Sequence, residues 1–199
     1  MRRFLPLALV AVLLIGGALL LGTSSGKNLT ANLFRSAEKN VTTATLHTTA
    51  GDITLQIYDT TVSTIAENFL KLAEAGMYDG VIFHRVIPGF MVQTGDFEHG
   101  NGTGGHAFGG GEIPDEINPS YSHTRGTVSM ANRGPNTNGS QFFIMHADAP
   151  QLDGAYAIFG QVTDGMPIVD SIATAETGFM DRPLEPVTIE TVTVHRATP

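Results

Sequence analysis

Phe83-His84-Arg85-Val86-Ile87-Pro88-Gly89-Phe90-Met91-Val92-Gln93-Thr94-Gly95-Asp96 is answered downstream by Ser129-Met130-Ala131-Asn132-Arg133-Gly134-Pro135-Asn136-Thr137-Asn138-Gly139-Ser140-Gln141-Phe142-Phe143-Ile144. The two stretches supply Arg85, large apolar side chains and a few amides. They hold no acid–base pair, no metal cluster and no obvious nucleophile. That mixture suits a reaction in which no covalent bond is made or broken. In both, apolar residues come in short runs cut by glycine, the pattern of short strands.

The same pattern extends outward. Strands are predicted over residues 44–48 and 52–58, joined by Thr49-Ala50-Gly51. In the second, Ile53, Leu55 and Ile57 alternate with Thr54 and Gln56, the period of a half-buried strand. Residues 81–86, 91–94, 127–131, 142–145, 158–162 and 187–195 read as further strands. Residues 62–75 have helical spacing, with Ile65, Phe69, Leu72 and Ala73 on one face. Thr61 or Ser63 is placed to cap that helix and Gly76 to end it. Met166, Ile168, Val169 and Ile172 mark a second helix over 165–173. Many short strands with two helices predict an all-β fold, a closed antiparallel eight-stranded barrel whose ends the helices cover. Residues 100–111 are dense in glycine. No Gly-Lys-Ser/Thr follows, so a flexible surface loop is expected there rather than a phosphate cradle.

The chain has 199 residues, enough for one domain, assigned to 42–199, with an extension. It has no cysteine, which excludes disulfides, thiolate nucleophiles and sulfur-ligated metals. The net charge of −8 argues against a nucleic-acid partner. Arg2 and Arg3 precede an uncharged apolar run over 4–22. Such a run approaches the ~20 residues that span a bilayer as a helix. Residues 1–26 are therefore expected to be a signal anchor or, if cleaved after the small residues 22–26, a signal peptide. Residues 27–41 read as a polar linker. With the arginines cytoplasmic, the main domain is expected outside the cytoplasmic membrane, anchored to it or released into the periplasm or medium.

From Thr43 to Arg196 the chain closely resembles the cyclophilin family of peptidyl-prolyl cis/trans isomerases. The resemblance implies rotation about X-Pro bonds in peptides and folding proteins, without cofactor or metal, by a monomer. It implies Arg85 as the catalytic residue. It places His84, Phe90, Met91, Gln93, Ala131, Asn132, Gln141, Phe143, Leu152 and Tyr156 against the substrate. Two positions depart from the common pattern. Gln151 stands where many members carry a tryptophan, which implies weaker cyclosporin binding, and Tyr156 stands where histidine is common.

This assignment makes chemical sense of the residues. Amide resonance opposes rotation with a barrier of ~18–20 kcal/mol. In the twisted state the prolyl nitrogen becomes pyramidal and gains a lone pair, so a fixed donor aimed at it favours that state over either planar one. Arginine is always charged and needs no proton transfer. Phe90, Met91 and Phe143, with Leu152 at the rim, would form the apolar slot for the ring. Phe142 and Phe143 are adjacent, so on a strand they point to opposite faces, and the resemblance assigns Phe143 to the groove. Gln93 and Gln141 offer amides to the substrate backbone, and Asn132 with the backbone at Ala131 would pair with an extended peptide.

Competing readings are weaker. The seven histidines show no strong ligand spacing. Ser140, His146 and Asp148 lie too close in sequence to converge readily as a triad, and Ser140 lacks a nucleophile elbow. Asn28, Asn40, Asn101 and Asn138 begin glycosylation sequons. The alternative of a different class is a proline-peptide binding module or chaperone on the same scaffold with little turnover.

Overall fold

The computed structural model describes residues 41–197. The expected N-terminal helix, membrane anchor and most of the linker lie outside these residues. Among the described residues no helix is long and apolar enough to cross a membrane.

Among the described residues eight strands and two α-helices follow in the order β1 (Thr43–Thr48), β2 (Gly51–Ile57), α1 (Ser63–Glu74), β3 (Arg85–Ile87), β4 (Met91–Thr94), β5 (Thr127–Met130), β6 (Phe142–Met145), β7 (Ile158–Asp164), α2 (Met166–Ala173) and β8 (Ile189–His195). All neighbours pair antiparallel, in the order β3-β4-β6-β5-β7-β2-β1-β8. The ladder itself is open, with β3 and β8 at its edges. The expected closure is made just outside those strands, by the Ile82–Thr188 bridge and by Phe83 N–H donating to Val187 O at 3.0 Å. The strand expected over 81–86 is thus shorter, and its first half serves as the clasp.

Alternation decides what lies inside. Ile53, Leu55 and Ile57 are buried while Thr54 and Gln56 are partly exposed. Val92, Val128, Met130, Phe142 and Ile144 also point into the main core. Phe69 of α1 fills the interior, with its ring centroid 5.3 Å from Phe142 and 5.0 Å from Phe159. Full burial of each such side chain contributes about 1.5–3 kcal/mol.

The helix ends are built partly as expected. Neither Thr61 nor Ser63 caps α1. The Glu116 carboxylate, distant in sequence, accepts from Ile65 N–H at 2.8 Å instead. At the other end Gly76 N–H donates to Ala73 O and Met77 N–H to Leu72 O, a Schellman arrangement with Gly76 left-handed. Gly165 precedes α2 with φ +90°, and a Cβ there would fall 2.3 Å from Asp52 O, so only glycine fits.

Candidate active site

The register of four strands builds the site. Arg85 of β3 lies opposite Gln93 of β4, Gln93 opposite Phe143 of β6, and Phe143 opposite Ser129 of β5. Their neighbours Val86, Val92, Phe142, Val128 and Met130 face the core. The row Arg85–Gln93–Phe143–Ser129 therefore faces outward. The next row, Ile87–Met91–Met145, faces the same way.

On this outer face Met91, Phe143, Met145 and Ala149 form a second apolar cluster, separate from the core. Ile87, Phe90, Ala131, Leu152 and Tyr156 pack around it. Phe142 and Phe143 thus divide between the two faces as expected. Tyr156 meets the Phe143 ring edge-on at 5.6 Å. It keeps the apolar wall that histidine would give.

The polar side is held by amides. Gln93 Nε2 donates to Gln141 Oε1 at 2.9 Å, and Gln141 Nε2 donates to Gly104 O at 2.7 Å. Gln93, Gln141, Ala131, Asn132, Gly102 and Gly104 border an open cleft. Asn132 Nδ2 donates to Ala155 O at 3.0 Å, and its Oδ1 accepts from Gly134 N–H at 3.3 Å. Its side chain fixes the rim, leaving its main chain as the part available to a peptide.

His84 is placed differently from the other expected contacts. It is 4% exposed and stands behind Gly102, whose Cβ would lie 3.2 Å from its Nε2. Among the described residues neither ring nitrogen meets a partner within hydrogen-bond geometry, and burial pushes the imidazole pKa down. A neutral ring fits that environment. His84 backs the cleft wall at Gly102 from the buried side.

The glycine-rich segment is packed where it meets the site. Both Asp96 carboxylate oxygens accept backbone N–H groups: Glu98 and His99 at 3.2 and 3.0 Å on Oδ1, and Asn101, Gly102 and Gly104 at 3.1, 2.8 and 3.2 Å on Oδ2. Burial alone would raise the Asp96 pKa, but these donors hold it well below the usual carboxylate range. At Gly105, φ is +87° and a Cβ would fall 2.3 Å from Ser140 Oγ. Within the segment expected as a flexible surface loop, 102–105 is closely packed, while Gly109, Gly110 and Gly111 are exposed with open space around them. Sequence reading missed this role of Asp96, although its place just before a glycine-rich run was a usable signal.

Phe143 is backed by a buried polar chain. His123 is 0% exposed, 2.7 Å from Asp153 Oδ1 through Nδ1 and 3.2 Å from Ser129 Oγ through Nε2. Its ring stacks on Phe143 with centroids 6.0 Å apart. Hydrogen bonds from Ser122, then from His123, lower the Asp153 pKa to about 2. The contacts have the form of a serine–histidine–aspartate chain. Ser129 and His123 are both 0% exposed, so no substrate carbonyl reaches them. The Ser140–His146–Asp148 grouping does not assemble, since Ser140 Oγ donates to Gly95 O and His146 Nδ1 accepts from Gly89 N–H. Asn138, one of the sequon residues, is fully buried.

Among the described residues Arg85 has one ionic partner. Its Nε lies 3.4 Å from Asp181 Oδ2, with the two side chains 42% and 48% exposed. Asp181 lies in a segment that sequence reading left without a role.

The family model described as cyclophilin type peptidyl-prolyl cis-trans isomerase matches residues 43–194. A peptidyl-prolyl cis-trans isomerase of Arabidopsis thaliana is 51% identical over 152 residues, covering 76% of this chain and 94% of that protein. A peptidyl-prolyl cis-trans isomerase-like protein of Gibberella zeae is 48% identical over 149 residues, covering 74% and 91%. A solved cyclophilin type isomerase of Cryptosporidium parvum superposes with a TM-score of 0.75 at 35% identity, covering 80% of this chain and 99% of that one. A second structure from that organism, obtained in the presence of the dipeptide Ala-Pro, gives a TM-score of 0.74 at 35% identity. With the two-faced strands, the outer apolar cluster and the adjacent arginine, these likenesses make the chain a member of the cyclophilin type peptidyl-prolyl cis-trans isomerases.

Proposed function

We propose that Arg85 stabilises the twisted state of an X-Pro bond whose ring lies against Met91 and Phe143. The observation that carries this reading is the cross-strand row Arg85–Gln93–Phe143. It sets a permanent cation two strand spacings, about 10 Å between backbones, from the apolar cluster. A prolyl ring fills part of that gap and the arginine side chain spans the rest. The Ala-Pro dipeptide present with the Cryptosporidium parvum protein supports a proline-containing ligand here. A rate gain of about 10⁵ requires roughly 7 kcal/mol of differential stabilisation. Desolvation against Met91 and Phe143 strengthens a donor there, and the Gln93–Gln141 pair holds the neighbouring backbone.

Isomer exchange in an Ala-Pro-Phe peptide, followed by NMR with the full-length chain, tests the assignment. Wild type should exchange fast and Arg85→Ala should fall to near background while still binding peptide. Wild-type turnover in Arg85→Ala would remove Arg85 from the mechanism. Binding without exchange in wild type would favour the peptide-module alternative.

The proposal extends to location. Arg2, Arg3 and the apolar run over 4–22 support export, with the domain working on polypeptides outside the cytoplasmic membrane. Cell fractionation, with the chain sized in the membrane and soluble pools, tests this. Recovery in the cytosol would overturn it.

A further inference from the structure

We infer that Asp181 is a positioning residue that aims the Arg85 guanidinium. The inference rests on the role proposed for Arg85. Asp181 approaches Nε, the inner nitrogen of the guanidinium, at 3.4 Å. The two terminal nitrogens of Arg85 have no hydrogen-bond partner among the described residues. One carboxylate therefore holds the stem side of the fork while the outer donors stay available. Arginine carries several rotatable bonds, and a donor fixed before the substrate arrives loses less freedom in the transition state.

The segment that delivers Asp181 is built to hold it there. Gly178 N–H donates to Arg182 O at 2.8 Å and Leu184 N–H to Glu176 O at 2.9 Å. Thr177 and Pro183 form a bridge. Arg182 Nη1 donates to Gly100 O at 2.9 Å, tying this hairpin to the loop that walls the cleft. At the tip Met180 and Asp181 both have positive φ, +59° and +57°. Two successive non-glycine residues in that region are unfavourable and persist only where the surroundings impose them. Phe179 and Met180 do not explain the conformation by burial, since they are 88% and 71% exposed. What the turn does achieve is the approach of Asp181 to Arg85.

Stability is a poor account of this pair. Half-exposed ion pairs contribute little to folding, and 3.4 Å is long for a charge-assisted bond. An orienting contact needs less strength than direction.

The test compares Asp181→Ala, Asp181→Asn and Arg85→Ala in the full-length chain by NMR exchange on an Ala-Pro-Phe peptide. Asp181→Ala should lower kcat about tenfold with KM little changed. Asp181→Asn keeps an oxygen acceptor for Nε–H and tolerates the left-handed backbone, so it should recover most of that loss. The Arg85 Nε–H resonance should shift in Asp181→Ala, a change that a structural role away from Arg85 would not produce. If Arg85→Ala is inactive and Asp181→Ala turns over at the wild-type rate, Asp181 does not position Arg85. If Arg85→Ala itself keeps wild-type turnover, the proposed function fails first, and separately.

Discussion

Replacing Asp96 by Asn tests how the cleft wall is held. The carboxylate accepts five backbone N–H groups across its two oxygens. An asparagine of the same shape has one acceptor oxygen. Its best arrangement keeps that oxygen on the side of Asn101, Gly102 and Gly104 and turns its amide toward Glu98 and His99. Two donors then face a donor, and three keep a neutral partner in place of a charged one. Losing an acceptor costs about 1–3 kcal/mol for each buried donor. Glu98 and His99 are exposed residues, so water relieves the lower part of that loss. The sum is about 3 kcal/mol, or a fall in Tm of about 6–12 °C for a domain of this size. The pH dependence gives a second arm. The folded pKa of Asp96 is depressed, so its stabilisation is fully present above the unfolded value of about 3.9 and is lost as pH falls toward the folded value. Thermal unfolding by circular dichroism from pH 7 to pH 3 should show a wide gap at neutrality that narrows below about pH 4. Equal midpoints at pH 7, or a gap unchanged down to pH 3, would refute the reasoning. Turnover should fall too, because Gly104 O is the anchor for Gln141.

His123→Phe keeps the stack on Phe143 but strips partners from Asp153 and Ser129; it should lower stability by about 2 kcal/mol and slow turnover, measured by denaturant titration and NMR exchange. Arg196 bonds both Glu67 and Glu74 at the surface; Arg196→Ala should cost no more than about 1 kcal/mol, and that cost should vanish in high salt in a melting series. Gln151 is exposed on the turn beside the pocket rim; Gln151→Trp should raise cyclosporin affinity in a calorimetric titration without raising kcat.

Local patterns were legible where one residue reports on one environment. The alternation of Ile53, Leu55 and Ile57 gave a strand and its buried face, and adjacent phenylalanines at 142 and 143 announced a two-sided strand. The arginine and apolar positions of the proposed site stand in the quoted motif. What stayed hidden depends on partners far apart in sequence. Nothing near Val62 signals that Glu116 will cap α1. Nothing near Arg85 signals Asp181, which lies 96 residues away. The glycines after Asp96 suggested looseness because a lone sequence does not show that Ser140 and His84 crowd against them. The motif gives His84 as a substrate contact but does not show that burial behind Gly102 surrounds its ring.

The cross-strand row has a kinetic consequence. Residues 85, 93, 143 and 129 become neighbours only after β3, β4, β6 and β5 have paired, and β6 inserts between β4 and β5. No fragment or half-formed sheet contains a reduced version of the site. Recovery of turnover after dilution from denaturant should therefore lag behind the return of helix signal and coincide with completion of the ladder, a slow event for pairings so distant in sequence. A nascent copy of this isomerase cannot assist its own folding; only a finished one can assist another chain.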